Sequence, residues 1–194
     1  MRSCLTGLDR FRGRSPDPPT RCRRTPSTAL GDYDCGVFEL AEIDTSNWQR
    51  ALAVEVRTDQ LRYVADHQPV ALVILSKCYL RPDARTWTPY LGLHDDEPVG
   101  VAAVAVAGDD AQLRHVAIDH RRQGEGLGRK LVDAVVAAVG STQPTCRSVV
   151  VTTHPENEAA QSLYSSAGFR RTGEMSGIEP VLRLDLPDRH TVRP

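Results

Sequence analysis

A chain of 194 residues that is 40% hydrophobic and 25% charged has the make-up of a single globular domain able to bury a sizeable core. A formal net charge of −1 argues against a nucleic-acid binder, which carries a strong basic excess. No run reaches the roughly 18 apolar residues of a membrane-spanning helix, and five cysteines without a Cys-x-x-Cys pair fit free thiols rather than a zinc site or a disulfide framework.

Residues 1–35 are rich in Arg, Pro, Ser, Thr and Gly and show no hydrophobic period, so they are expected to form a disordered tail. Residues 1–36 hold seven arginines against four acids, a surplus of +3 that leaves −4 for the rest of a chain totalling −1. A nucleic-acid-binding arm is the alternative reading of those arginines. The acidic body serves solubility or draws a cationic substrate. The start lacks the apolar core of a secretory signal. Its Arg and Ser content resembles an organellar transit peptide, but Asp9, Asp17 and the prolines between 16 and 19 oppose an amphipathic helix, so cytoplasm is the expected location.

From Val37 the pattern tightens. Val37–Ile43 reads as a strand, and Asp44-Thr45-Ser46-Asn47 offers capping side chains for a helix through about Val56. Thr58 or Asp59 starts a second helix through Leu61, Val64 and Ala65, and Pro69 precedes the apolar run Val70–Leu80. Thr86–His94 and Pro98–Gly108 form a hairpin about the turn His94-Asp95-Asp96-Glu97. Leu113–Ile118 is a third strand of that group. Gly126–Val139 is a helix with Leu127, Leu131, Val135 and Val139 on one stripe. Ser148–Thr153 is a β-branched strand, Asn157–Ala167 a short helix ended by Gly168, and Phe169–Gly173 with Val181–Leu186 a closing pair. This order, with one βαβ-like crossover, predicts an α+β fold on a mixed sheet.

The informative stretch is Leu113 to Leu131, where a strand runs through Gln123-Gly-Glu-Gly126-Leu-Gly128 into the amphipathic helix. Orphan N–H groups and the helix dipole favour a bound pyrophosphate there, and the glycines let the backbone approach it. Arg121, Arg122, Arg129 and Lys130 can add charge. A Walker loop would need Gly-Lys followed by Ser or Thr, yet Gly128 is followed by Arg129-Lys130-Leu131. A dinucleotide fingerprint would put a third glycine at Arg129. The segment instead reads Gln123-x-x-Gly126-x-Gly128. About 30 residues later comes Asn157-Glu-Ala-Ala160-Gln-Ser-Leu163-Tyr164, then Gly168-Phe169. On its own, Tyr164 reads as readily as a packed aromatic as a catalyst.

These two motifs, in this order, resemble the GNAT acetyltransferases over roughly Val37 to Leu186. The resemblance implies a mixed, mostly antiparallel sheet of six to seven strands, flanked by about four helices and splayed at an acyl-CoA site. It places the domain at 36–187, with a C-terminal tail over 188–194. It implies acetyl-CoA as cosubstrate and no metal. The backbone of Val116, Ala117 and Ile118 would pair with the pantetheine arm, and amides across Gln123, Gly124, Glu125, Gly126, Leu127, Gly128 and Arg129 would cradle the pyrophosphate. Asn157 would bond near the pantetheine, and Tyr164 would protonate the departing thiolate. The implied partners are a small-molecule amine and, as an open option, a second copy of the chain, with no membrane and no nucleic acid.

Asn47-Trp48 ahead of Leu52–Val56, then Gln60-x-x-Tyr63-Val64-Ala65, and the ending Glu174…Val181–Leu186 are similar to the bacterial spermine/spermidine (diamine) acetyltransferase subgroup. That subgroup's aromatic stretch before the loop is replaced here by Ala111-Gln112-Leu113-Arg114-His115. A base for the attacking amine is not evident. Regular alternation turns His115 to the opposite sheet face, although a β-bulge would re-aim it. His154, Glu156 and a water chain are the other candidates. A protein amino terminus or lysine as acceptor, and a non-catalytic acyl-CoA sensor, are the competing functions.

Overall fold

Seven strands form one sheet: β1 Phe38–Glu42, β2 Thr86–His94, β3 Glu97–Ala107, β4 Asp110–Ile118, β5 Ser148–Thr152, β6 Arg170–Ser176 and β7 Glu179–Asp185. The computed structural model describes residues 36–187, and the tails expected at 1–35 and 188–194 lie outside them. The strand order is β1-β2-β3-β4-β5-β7-β6. Every pairing is antiparallel except β4 with β5. That parallel pair needs a crossover, which helix α4, Leu127–Thr142, supplies. The mostly antiparallel α+β sheet is the one the sequence predicts.

Four further helices precede and follow the crossover: α1 Trp48–Ala51, α2 Leu61–Val64, α3 Val70–Leu80 and α5 Glu158–Ser166. The first is much shorter than the helix expected through Val56. Val54 and Val56 are 0% and 4% exposed. Residues two apart lie on nearly opposite sides of a helix, so burying both requires the helix to end before them, and a turn through Leu52 and Ala53 follows Ala51. Asn47 does not cap α1 with its side chain. It ties the turn to β1 instead, accepting from the Asp44 amide at 2.9 Å and donating to the Glu42 carbonyl at 2.9 Å.

The β2–β3 hairpin turns at Asp95 and Asp96, whose φ angles of 53° and 64° give the two left-handed positions that match the twist of the flanking strands. Two cores lie on the two sheet faces. On one, α4 presents Leu131, Val135 and Val139 to Leu113 and Val149, with Tyr164 and Phe169 completing the layer. On the other, α3 presents Val70 and Ile74 to Leu91 and Val101. Each fully buried aliphatic contributes on the order of 1.5–3 kcal/mol, so the α4 stripe alone anchors the crossover. Among the described residues no helix is long and apolar enough to cross a membrane. Cys78 and Cys146 are free thiols.

Candidate active site

The loop before α4 is built from unspent amides. Gly124 and Gly126 take φ angles of 86° and 76°, where a side chain is strained, and a Cβ at either would meet nothing within 4 Å. The amides of Arg129 and Lys130 turn back to the Gly126 carbonyl, whereas those of Gly124, Gly126, Leu127 and Gly128 have no acceptor among the described residues. Four free donors at the positive end of a 16-residue helix, beside open space, fit a diphosphate.

The neighbouring guanidinium groups are engaged elsewhere. Arg121 is bound to Asp119 at 2.7 Å and Arg122 to Glu125 at 2.8 Å. Arg129 holds Asp133 at 2.7 Å and donates to the Ser166 carbonyl at 2.6 Å. Backbone donors, not these side chains, therefore suit an anion at the loop. Gln123 acts as a brace, its amide donating to the Ile118 carbonyl at 3.0 Å.

The sheet parts beside this loop. The β4–β5 ladder ends at Leu113 and Val151, although β4 continues to Ile118. Val116, Ala117 and Ile118 consequently present an edge without a β5 partner, which suits an extended amide-bearing arm. A β-bulge sits in the same segment. Against β3, Val101 faces Ala117 while Ala103 faces Arg114, so β4 carries one extra residue, and His115 takes φ 51°. The bulge reverses the alternation: Leu113 belongs to the α4 core and Ala117 to the α3 core.

Two cavities open from the gap. A groove of about 550 Å³ is lined by Val116, Ala117 and Ile118 from β4, by Gln123, Gly124 and Gly126 to Arg129 from the loop and α4, and by Asn157 and Tyr164. Glu125 is turned to Arg122 and does not line it. A second pocket of about 250 Å³ lies against it, and the two share Tyr63, Val64, Val116, Asn157, Ala160 and Tyr164. Asn157 caps α5, its oxygen accepting from the Ala160 amide at 3.1 Å. Tyr164 is 5% exposed and its ring stands edge-on to Phe169 at 5.6 Å. Its hydroxyl has no hydrogen-bond partner among the described residues, and burial pushes its pKa well above the ordinary phenol value.

Comparison with known proteins decides the family. The acetyltransferase (GNAT) family profile matches residues 43–169, most of the described chain. The chain belongs to the GNAT acetyltransferase family. A mycothiol acetyltransferase of Clavibacter michiganensis is 37% identical over 82 residues, covering 42% of this chain and 24% of that protein. The chain thus spans about a quarter of the length of the curated relatives it matches. Among solved structures, an aminoglycoside acetyltransferase with coenzyme A and kanamycin overlays with a TM-score of 0.60 at 21% identity, covering 77% of this chain and 95% of that one. A spermidine N-acetyltransferase from Vibrio cholerae, with CoA and spermine, gives 0.56 at 15% identity over 77% and 94%. These share the GNAT fold.

Within this GNAT domain the three side chains considered as bases are separated. The bulge re-aims His115 into the small pocket, where its Nδ1 donates to the Val64 carbonyl at 2.6 Å and its Nε2 lies 2.9 Å from Lys77 Nζ. Burial lowers its pKa, and the charges of Lys77 and Arg114 lower it further. Glu156 borders the large groove and pairs with Arg62 at 3.3 Å. His154 lines neither cavity; its Nδ1 accepts from the Glu156 amide at 3.2 Å. Lys77 in the small pocket is the residue that sequence reading missed as a site group, whereas Arg114 lies in the stretch before the loop that it singled out. Lys77 has no motif around it, while the bulge weighed for His115 is present in β4. Among the described residues no cluster of three or more His, Cys, Asp or Glu could hold a metal.

Proposed function

We propose that this GNAT domain transfers the acetyl group of acetyl-CoA to a primary amine of a small molecule by direct attack. The observation that carries the reading is Tyr164, a buried residue with an unpartnered hydroxyl, which lines both a groove suited to the acyl donor and a pocket suited to an acceptor. In this reading the amide donors from Gly124 to Gly128 bind the diphosphate and the β4 edge at Val116–Ile118 aligns the arm. The neutral amine nitrogen attacks the thioester carbonyl, the carbon–sulfur bond breaks, and the sulfur takes the Tyr164 proton. The proton released by the attacking nitrogen passes to water, since the Nε2 of His115 already faces Lys77.

The motifs around Asn47-Trp48 and Tyr63-Val64-Ala65 resemble the diamine subgroup, but Lys77 and Arg114 in the small pocket set positive charge against a polyamine acceptor. The deciding experiment offers the full chain acetyl-CoA with a panel of polyamines, aminoglycosides, amino acids and simple amines, and follows free thiol. Thiol release dependent on at least one small amine is expected. Tight acetyl-CoA binding with no release from any of them would leave the acyl-CoA sensor as the function.

A further inference from the structure

Three cations line the small pocket, and Arg62 is paired with Glu156 at 3.3 Å. Lys77 of α3 and Arg114 of β4 both line it, and neither forms an ion pair with any described residue. Arg114 is held from one edge, its Nε and Nη2 both donating to the side-chain oxygen Oε1 of Gln112, the former at 3.2 Å. Nη1 has no partner among the described residues, and Arg114 borders both this pocket and a neighbouring hollow that it shares with Gln112 and Glu174. Lys77 is placed by His115 at 2.9 Å and lies 5.6 Å from the centre of the Trp87 ring. Burial and the charge of Arg114 both lower the pKa of Lys77, as expected where like charges share a partly dry site.

Asp83 and Asp66 act on Lys77 in the opposite sense, raising its pKa. Asp66 and Glu179 line the pocket, yet neither bonds to Lys77 or Arg114. The pocket thus offers a cationic pair fixed by neutral partners, together with two separate carboxylates. We infer that the acceptor is zwitterionic, an amine that also carries a carboxylate, and that Lys77 and Arg114 hold that carboxylate. The inference deepens the proposed function and rests on the small pocket being the acceptor site. A carboxylate there gains charge-assisted hydrogen bonds from two donors that otherwise repel each other. A polyamine, cationic at each nitrogen, sets ammonium groups against both.

The test measures binding, so that it stands apart from turnover. The full chain is saturated with coenzyme A and titrated calorimetrically with matched pairs: ornithine and putrescine, lysine and cadaverine, phenylalanine and phenethylamine. The carboxylate-bearing member of at least one pair is expected to bind about 10-fold tighter or more than its decarboxylated partner. In Arg114→Gln and Lys77→Gln that ratio should fall towards one while coenzyme A affinity is retained, which also reports that the variants are folded. The inference is overturned if no carboxylate-bearing member binds more tightly than its partner, or if the ratio survives in both variants. Thiol release with acetyl-CoA, for either member of a pair, bears on the transferase reading alone.

Discussion

Gln60 and Gln123 exchange a pair of amide hydrogen bonds, 3.0 and 3.1 Å long, across 63 positions of sequence. One residue leads into α2, beside the proposed acceptor pocket, and the other opens the loop that aims its amides at the large groove. Gln123 also donates to the Ile118 carbonyl and accepts from Arg57 at 3.4 Å, so its full bonding capacity is used inside the protein. It shapes the donor site without spending itself on the ligand.

Gln60→Leu should therefore loosen the loop from a distance. It leaves one amide hydrogen of Gln123 and the Arg57 backbone amide without their acceptor, a cost of about 1–3 kcal/mol shared between folding and loop order. Acetyl-CoA affinity should drop by roughly 3- to 30-fold, measured by calorimetry, with the fold intact by circular dichroism. An unchanged affinity would show that the pair does not order the loop.

Gly126→Val addresses the loop directly. At φ 76° a β-branched residue is strained by about 1–2 kcal/mol, and its side chain projects where the groove is open. Acetyl-CoA should raise the melting temperature of the wild type by binding linkage and fail to raise that of the variant. The comparison is made within each protein, so the variant's own lower baseline does not obscure it. A retained shift would place the phosphates elsewhere.

The parts of this arrangement governed by local rules were legible in the sequence. The α4 stripe of Leu127, Leu131, Val135 and Val139 is buried to within 1% at each position, as its period predicts. The Asp95-Asp96 turn, the glycine loop and the Asn157 cap likewise depend on a few adjacent residues. What was not legible depends on long-range pairing. The extra residue in β4 is visible only against β3, and it decides which face His115 joins. Lys77 reaches the pocket because α3 packs across that face, 38 positions away from His115. The short α1 reflects burial of both Val54 and Val56, a tertiary demand that overrides the capping signal at Asp44–Asn47.

Asp119 supplies a pH-dependent share of stability. Its side chain is 1% exposed and accepts from the Arg121 side chain and amide and from the Glu55 amide at 3.2 Å, which hold its pKa at about 2 against an ordinary 3.8. A lowered carboxylate pKa means stability that is complete above the unfolded value and lost as pH falls from about 3.8 through about 2. Arg121 is 61% exposed, so the contribution is trimmed by solvent to about 1–2 kcal/mol. Urea unfolding of Asp119→Asn should show a deficit of that size at pH 6, shrinking towards zero near pH 2. A deficit that does not vary with pH would assign the effect to shape instead of charge.

Tyr164 separates chemistry from packing most cleanly. The phenol is buried, its ring contacts Phe169 edge-on at 5.6 Å, and its hydroxyl bonds to no described residue. Tyr164→Phe keeps the ring contact and strands no partner, so stability should move by less than about 0.5 kcal/mol and acetyl-CoA affinity should hold. If the hydroxyl protonates the leaving sulfur, kcat should fall by roughly 10²-fold or more with whichever amine supports turnover. Burial raises the phenol's pKa, so the wild type should show no alkaline loss of kcat from its ionisation below about pH 10. A packed aromatic with an incidental hydroxyl makes the opposite prediction, near-normal kcat at every pH. Steady-state kinetics of this variant, with single-turnover measurements to show that chemistry limits the rate, distinguishes the two. Turnover within about threefold of wild type would remove Tyr164 from the reaction and leave the thiolate to depart unaided.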